Sequence, residues 1–203
     1  MTGAVTVVIP TIPPRAAMLC RAVGSVGRQT RPAAALSIAI DVDHAGAWAT
    51  RQRALEAVRT PWTAFLDDDD QFLPHHLDRL LACAEETGGD YIFPWFTPIG
   101  PDGRPFTDRP NGGDPFPGYF GRPWDDARPR QTTITTMVRT ELAQAVGFQR
   151  PVEGELIGGF RLGEDYRFTL GCVNAGARFV HLPERTWLWR WHPGQTSGKP
   201  DRW

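Results

Sequence analysis

Residues 4–96 predict a doubly wound, mostly parallel α/β sheet flanked by helices. Three observations carry that expectation. Short, solidly apolar runs alternate with amphipathic helical stretches. The connections between them are short. Polar or acidic residues fall just beyond the carboxyl ends of the apolar runs, where ligands bind in sheets of this kind.

Each element follows from the chain in order. "AVTVVI" (4–9), closed by Pro10, is a β-branched run that reads as a buried strand. Residues 15–29 place Leu19, Ala22, Val23 and Val26 three and four apart, an amphipathic helix. "ALSIAIDVD" (35–43) is a second strand ending in Asp41 and Asp43, and "AWATRQRALEAVR" (47–59) a second helix closed by Thr60-Pro61. "WTAFL" (62–66) is the third strand. The helix after Pro74 stops at Gly88-Gly89, and "YIFPWF" (91–96) is the fourth strand. Pro10-Thr11, Asp41/Asp43 and the run Asp67–Asp70 therefore point toward one rim. Residues 97–130 are rich in Pro and Gly with interspersed aromatics, an ordered loop rather than a linker. "TTITTMV" (132–138) resumes as a strand and "RTELAQAVG" (139–147) as a helix. "GEDYRFTLGCVNAG" (163–176) is a helix with two acids in its first turn, and "RFVHLP" and "RTWLWRWHPGQTSGK" close the chain.

At 203 residues the chain can bury a full core as one domain. Hydrophobic content of 41% and charged content of 22% belong to a soluble globular protein. A net charge of −1 lacks the basic footprint of a nucleic-acid or anionic-membrane binder. Cys20, Cys83 and Cys172 are odd in number and far apart, so they are expected as buried free thiols in a reducing compartment. The amino terminus runs straight into a strand without a leader pattern, and no apolar stretch approaches the roughly 18 residues that span a bilayer. A cytoplasmic location is the expectation.

Asp67–Asp70 follow Phe65-Leu66 directly. Adjacent like charges about 5 Å apart repel by roughly 3 kcal/mol at an effective dielectric near 20. A solvated turn is the ordinary reading of such a run. The buried strand before it and Phe72-Leu73-Pro74 after it argue otherwise, and a divalent cation would remove the liability because hard cations select carboxylate oxygens. The spacing does not fit a 12-residue EF-hand loop. Glu164 and Asp165 have a plain reading too, since acids in a first turn complement the helix dipole. Trp187, Trp189 and Trp191 share one face of a strand and are expected to pack, with Leu188, Arg190 and His192 on the other. His75 and His76 are expected to face solvent.

"VVIPT", "RQRALEAVRTPWTAFLDDDDQFLPHHL" and "GEDYRF" resemble family 2 glycosyltransferases. The resemblance implies a GT-A, Rossmann-like fold in a single domain, with a nucleotide-sugar-binding half at 1–96 and an acceptor-binding, catalytic-base half at 97–203. In that family a strand-terminal Leu-Asp-x-Asp-Asp, followed by Pro, binds a nucleotide-sugar diphosphate through Mn²⁺ or Mg²⁺. Leu66 to Asp70, then Pro74, match it. The implied metal ligand is Asp69, with Asp67, Asp68 or Asp70 helping to hold metal or ribose. Pro10 and Thr11 match the loop along the nucleotide, although Ile12-Pro13 replaces the common Tyr-Asn. Asp41 and Asp43 are the candidates for the base contact, in a segment that departs from the family's. Arg51 either faces the nucleotide or satisfies nearby carboxylates. Asp165, beside Glu164, matches the catalytic base of inverting members, since an attacking hydroxyl must shed a proton; a helix amino terminus should lower its pKa. Arg190, His192 and Ser197 match an "R-x-H…S" pattern whose His is a third metal ligand or diphosphate contact. Trp95, Trp124 and the 97–130 loop are expected to shape the acceptor pocket.

The activity so implied is metal-dependent, inverting transfer from a UDP-linked sugar to an acceptor hydroxyl, of hexosyltransferase type. The acceptor is a glycan, protein or small molecule, with nucleic acid little supported by the charge. Two other readings stay open. A nucleotidyltransferase also uses paired aspartates, but "PTIPPRAAM" lacks its basic, Gly-rich signature. A non-catalytic nucleotide-sugar-binding module is opposed by the presence of both acidic elements.

Overall fold

The computed structural model describes residues 3–106, 118–130, 132–152, 156–157, 160–161 and 163–195. β1 (Val5–Thr11), a run of β-branched residues, is buried along its whole length. It pairs in parallel with β2 (Ala35–Ile40) on one side and β3 (Trp62–Phe65) on the other. Four further strands complete a seven-stranded sheet: β4 (Gln71–Phe72), β5 (Tyr91–Ile99), β6 (Met137–Arg139) and β9 (Phe179–Arg190), in the order β2-β1-β3-β6-β5-β9-β4. The β5–β9 pair is parallel, whereas β3–β6, β5–β6 and β4–β9 are antiparallel. Five strands thus share one direction, and β6 and β4 oppose them. β7 (Leu156–Ile157) and β8 (Phe160–Arg161) form a separate small hairpin.

Helices cover both faces. Successive side chains of a strand point to opposite faces, and β1 divides accordingly. Val5, Val7 and Ile9 join Ala22 and Val26 of α1 (Ala16–Gly27) and Leu77, Leu80 and Leu81 of α3 (His76–Thr87). Val8 and Phe65 join Ala54 and Leu55 of α2 (Ala47–Glu56), Ala143 of α4 (Thr140–Val146) and Phe168 and Cys172 of α5 (Glu164–Asn174). Each fully buried Leu or Phe in these layers contributes about 1.5–3 kcal/mol. α3 stops at Gly88, whose φ of 68° is the left-handed cap that glycine adopts without a Cβ penalty. Among the described residues no helix is long and apolar enough to cross a membrane.

Side chains of α1 and its cap fix the segment that leaves the aspartate run. Ser25 Oγ accepts the Phe72 N–H, Gln29 Nε2 donates to Leu73 O, and Gln29 Oε1 accepts the Leu77 N–H. The turn that carries four carboxylates is thereby held by buried neutral hydrogen bonds immediately after it.

Several expectations need correction. β2 is apolar but lies at the sheet edge, so only its odd-numbered side packs on α2, and Leu36, Ile38 and Ile40 are 41–48% exposed. The expected strand over 132–138 is regular only from Met137, with Thr136 O accepting the Phe65 N–H just before it, although Thr132, Ile134, Thr135 and Thr136 are all buried. "RFVHLP" and "RTWLWRW" form one strand, β9, and β5 runs on to Ile99. Pro94 and Pro183 sit where the β5–β9 register shifts, the irregular position in which a strand tolerates proline. Cys83 and Cys172 are buried free thiols, but Cys20 is exposed on α1. His76 is fully buried rather than solvent-facing. It stacks on Phe72 with ring centroids 3.8 Å apart and places Nδ1 2.8 Å from Thr186 Oγ1. Burial pushes its pKa down to about 3, so the ring is neutral.

Candidate active site

The carboxyl ends of β1, β2 and β3 open into a cavity of about 290 Å³. β3 ends at Phe65, the Leu66 N–H donates to Val8 O, and the Asp70 N–H turns back to Asp67 O at 3.1 Å. β4 begins at once, so the four aspartates make one tight turn that sends their carboxylates in different directions.

Asp67 Oδ1 accepts from Arg51 Nη2 at 2.7 Å. Asp68 is buried and turned toward β1, with Oδ2 2.6 Å from Thr11 Oγ1 and Oδ1 2.9 Å from Arg15 Nη1. Asp69 Oδ2 accepts from His192 Nε2 at 3.0 Å and from Arg15 Nη1 at 3.1 Å. Asp70 Oδ1 accepts the Arg190 N–H at 2.8 Å. One oxygen each of Asp67, Asp69 and Asp70 lie within 4.8 Å of one another, and Asp68 is not of that group. Burial, then Asp69 and Asp67, holds the Asp70 carboxyl well above the usual range. Asp69 is also raised, by burial and by Asp67, against the pull of its His192 hydrogen bond and Arg15. An all-oxygen triad short of positive charge fits a hard divalent cation such as Mn²⁺ or Mg²⁺.

The second acidic element arrives on α5, which starts at Glu164 after an extended Gly163. Arg51 of α2 joins it to the aspartate turn. Its Nη1 donates to Glu164 Oε1 at 2.7 Å and to Asp165 Oδ1 at 3.4 Å, while Nη2 holds Asp67. Burial works against the Arg51 charge, but Asp67, Asp165 and Glu164 together outweigh it and raise its pKa. Arg51 thus satisfies carboxylates, one of its two expected roles, and it also lines the cavity. Asp165 keeps 32% of its side chain open to the cavity, yet burial is the largest influence on it and pushes its pKa up to about 7. Glu164 and Asp67 push the same way, and only Arg51 opposes. Desolvation and neighbouring charge therefore overcome the helix dipole, contrary to the sequence expectation.

Pro10, Thr11, Asp41 and Arg190 also line the cavity. Asp41 is buried and accepts the N–H groups of Ala45 at 2.8 Å and Gly46 at 2.9 Å, which fixes the loop leading into α2. Gly46 has φ 96°, a conformation in which a side chain would be strained, and its carbonyl receives both the N–H and the hydroxyl of Thr50. Asp43 is 76% exposed, off the cavity and 3.9 Å from Arg53. The Arg190 guanidinium is already engaged by Gly100 O, Pro101 O and Gln71 Oε1, so it clamps a loop and does not reach into the cavity as a free cation. His192 Nδ1 accepts the Gly194 N–H at 3.2 Å, which leaves the ring proton on Nε2, facing Asp69. Ser197 lies outside the described residues.

The expected acceptor aromatics are elsewhere. Trp95 is 2% exposed in the core, and Trp124 stacks on Phe179 at 4.3 Å; neither lines the cavity. Trp189 does, at the end of β9 beside Arg190. Its signal in the sequence was its place at the polar end of a strand, one residue from Arg190. Arg15 also lines the cavity and was missed; its signal was a lone cation just past the rim residues Pro10 and Thr11.

Comparison with solved structures places the fold among known ones. The structure of S. aureus TarS 1-349 in complex with UDP-GlcNAc superposes with a TM-score of 0.71 at 16% identity, over 95% of this chain and 60% of that one. Its complex with UDP gives 0.67 at 17% identity, over 94% and 61%. The chain therefore spans about three fifths of the length of those structures. At this identity the likeness is one of fold, and the fold is GT-A. No curated protein gives a significant sequence match. The sequence profile described as "Glycosyl transferase family 2" matches residues 38–148, more than half of the chain and including β3, the aspartate turn and Arg51. The chain belongs to glycosyl transferase family 2.

Proposed function

We propose that this domain transfers a sugar from a nucleotide-diphosphate donor, UDP-linked, to an acceptor hydroxyl with inversion at the anomeric carbon. The observation that carries the reading is the buried guanidinium of Arg51, which ties the cation-competent turn at Asp67 to the helix-borne Glu164 and Asp165 across one cavity. A donor diphosphate and an attacking hydroxyl need those two kinds of carboxylate within one site. The solved complexes of TarS with UDP-GlcNAc and UDP support the UDP-linked donor.

Asp67, Asp69 and Asp70 would hold Mn²⁺ or Mg²⁺, which when bound neutralises the charge of the leaving diphosphate. Thr11 and Asp41 border the nucleotide side, in the amino-terminal half at 1–96. Asp165, in the half at 97–203, takes the proton of the acceptor hydroxyl as its oxygen bonds to the anomeric carbon. The bond from that carbon to the diphosphate oxygen breaks with its electron pair leaving on the diphosphate. A carboxylate with a pKa near 7 suits that task, because general bases work best near the operating pH. Arg51 keeps Asp165 ionised and oriented.

The test is a panel of nucleotide sugars read by thermal shift with and without Mn²⁺. A UDP-sugar is expected to stabilise the protein by mass action only when Mn²⁺ is present, and Asp69→Ala to abolish that shift. Stabilisation that survives both EDTA and Asp69→Ala would remove the cation from the reading. No shift with any UDP-sugar would remove the donor.

A further inference from the structure

Arg15 closes a short 3-10 turn begun by Pro13 and Pro14, on the rim beside β1. Its Nη1 donates to Asp68 Oδ1 at 2.9 Å and to Asp69 Oδ2 at 3.1 Å, and its Nη2 donates to Gly194 O at 3.2 Å. The side chain is 19% exposed and lines the cavity. One guanidinium therefore binds the aspartate turn to the segment that follows β9.

Asp69 is where the claims conflict. The same Oδ2 accepts from His192 and from Arg15, and Asp69 belongs to the triad that would hold a cation. A cation on that carboxylate and a guanidinium on its Oδ2 repel each other. Asp68, in contrast, has a second anchor in Thr11 Oγ1 at 2.6 Å, so it keeps a partner if Arg15 departs. The two prolines fix the backbone before Arg15, which leaves the side chain as the part free to turn. The nearest new partner in the cavity would be a diphosphate, whose oxygens match the planar fork of a guanidinium.

We propose that Arg15 is a positioning residue that makes cation and nucleotide bind together. It neutralises Asp68 and Asp69 until a cation takes Asp69, then turns to the diphosphate of the donor. This rests on the reading of the cavity as a cation-assisted nucleotide-sugar site. Each ligand should then tighten the other, and linkage requires the factor to be equal from either side.

Calorimetry with Mn²⁺ alone, UDP alone and each in the presence of the other tests this on wild type, Arg15→Met and Arg15→Lys. In wild type each ligand is expected to strengthen the other about tenfold or more. In Arg15→Met, Mn²⁺ alone should bind about tenfold tighter, UDP at saturating Mn²⁺ about tenfold weaker, and the coupling factor should fall about tenfold, to the part that direct attraction between cation and diphosphate supplies. Arg15→Lys keeps the charge but not the fork, so its coupling should fall between the two; it carries the test if the Met variant does not fold. Wild-type coupling in the variants overturns the proposal while leaving the donor site intact. Wild type binding neither Mn²⁺ nor UDP overturns the donor site itself, and this inference with it.

Discussion

Asp165 and Arg51 form the pair on which catalysis at this site would turn, and each makes a distinct prediction. Asp165→Asn keeps shape and removes the proposed base, so kcat should fall about 10²- to 10⁴-fold with donor binding little changed. The pH profile carries a second signature. The base acts as a carboxylate, and the Asp165 pKa is raised to about 7, so kcat/KM should climb about tenfold per pH unit up to about pH 7 and level off above it. Arg51 is the group that pulls this pKa down. Arg51→Met should therefore move the acidic limb to higher pH, besides destabilising the fold by about 3–5 kcal/mol through three carboxylates left without their partner. An acidic limb that stays in place in Arg51→Met, with the variant still folded, would disconnect it from Asp165. The raised pKa of Asp165 is not legible from a first-turn acid pair, because helix-dipole reasoning gives the opposite sign. Burial of Asp165, with Glu164 and Asp67 beside it, reveals it.

At the scale of elements, the joint between α3, β4 and β9 shows what sequence pattern can and cannot convey. Alternation of apolar strands and helices identified β1, β3, α2 and α3, and acids at strand ends located the rim. Whether a strand is central or at an edge depends on sheet order, which periodicity does not encode; hence Leu36, Ile38 and Ile40 are exposed where burial was expected. His76 failed for a related reason. It follows Pro74 and precedes an amphipathic helix, a position that reads as solvent-facing until β9 brings Thr186 against it. Trp95 lies on β5, a strand buried on both faces, so it packs in the core and does not reach the cavity.

The buried imidazole has a measurable consequence. Its folded pKa of about 3 lies below its unfolded value near 6.5, so the stability it confers is complete above about pH 6.5. That stability is lost as pH falls toward 3, by about 1.4 kcal/mol per pH unit for one proton. His76→Phe should retain the stacking on Phe72 but strand the Thr186 hydroxyl, costing about 1–3 kcal/mol at neutral pH. Urea titrations between pH 7 and pH 4 should show a shallower acid slope in the variant by one proton. An unchanged slope would mean that another group governs acid unfolding.

Over the whole molecule, the aspartate turn sets stability against function. Asp69 and Asp70 both have folded pKa values above their ordinary range, raised first by burial and then by neighbouring carboxylates. A carboxyl group raised in the folded state favours folding below its unfolded pKa, near 3.9, and loses that contribution as pH rises through the folded value. At neutral pH the two therefore oppose folding, and the buried hydrogen bonds of Ser25, Gln29 and the Arg190 N–H hold the turn together despite them. Asp70→Asn can still accept the Arg190 N–H while removing a buried negative charge, so it should raise the midpoint of thermal unfolding without added metal. The same change removes one of the three oxygens available to a cation, so the rise in midpoint that Mn²⁺ gives wild type should shrink or vanish. In wild type that rise should be larger at pH 8 than at pH 5, because protons compete with the cation for the same carboxylates. Differential scanning calorimetry of both proteins at the two pH values, with and without Mn²⁺, measures all of these quantities together. A variant less stable than wild type in EDTA at pH 8 would show that Asp70 supports the fold rather than opposing it.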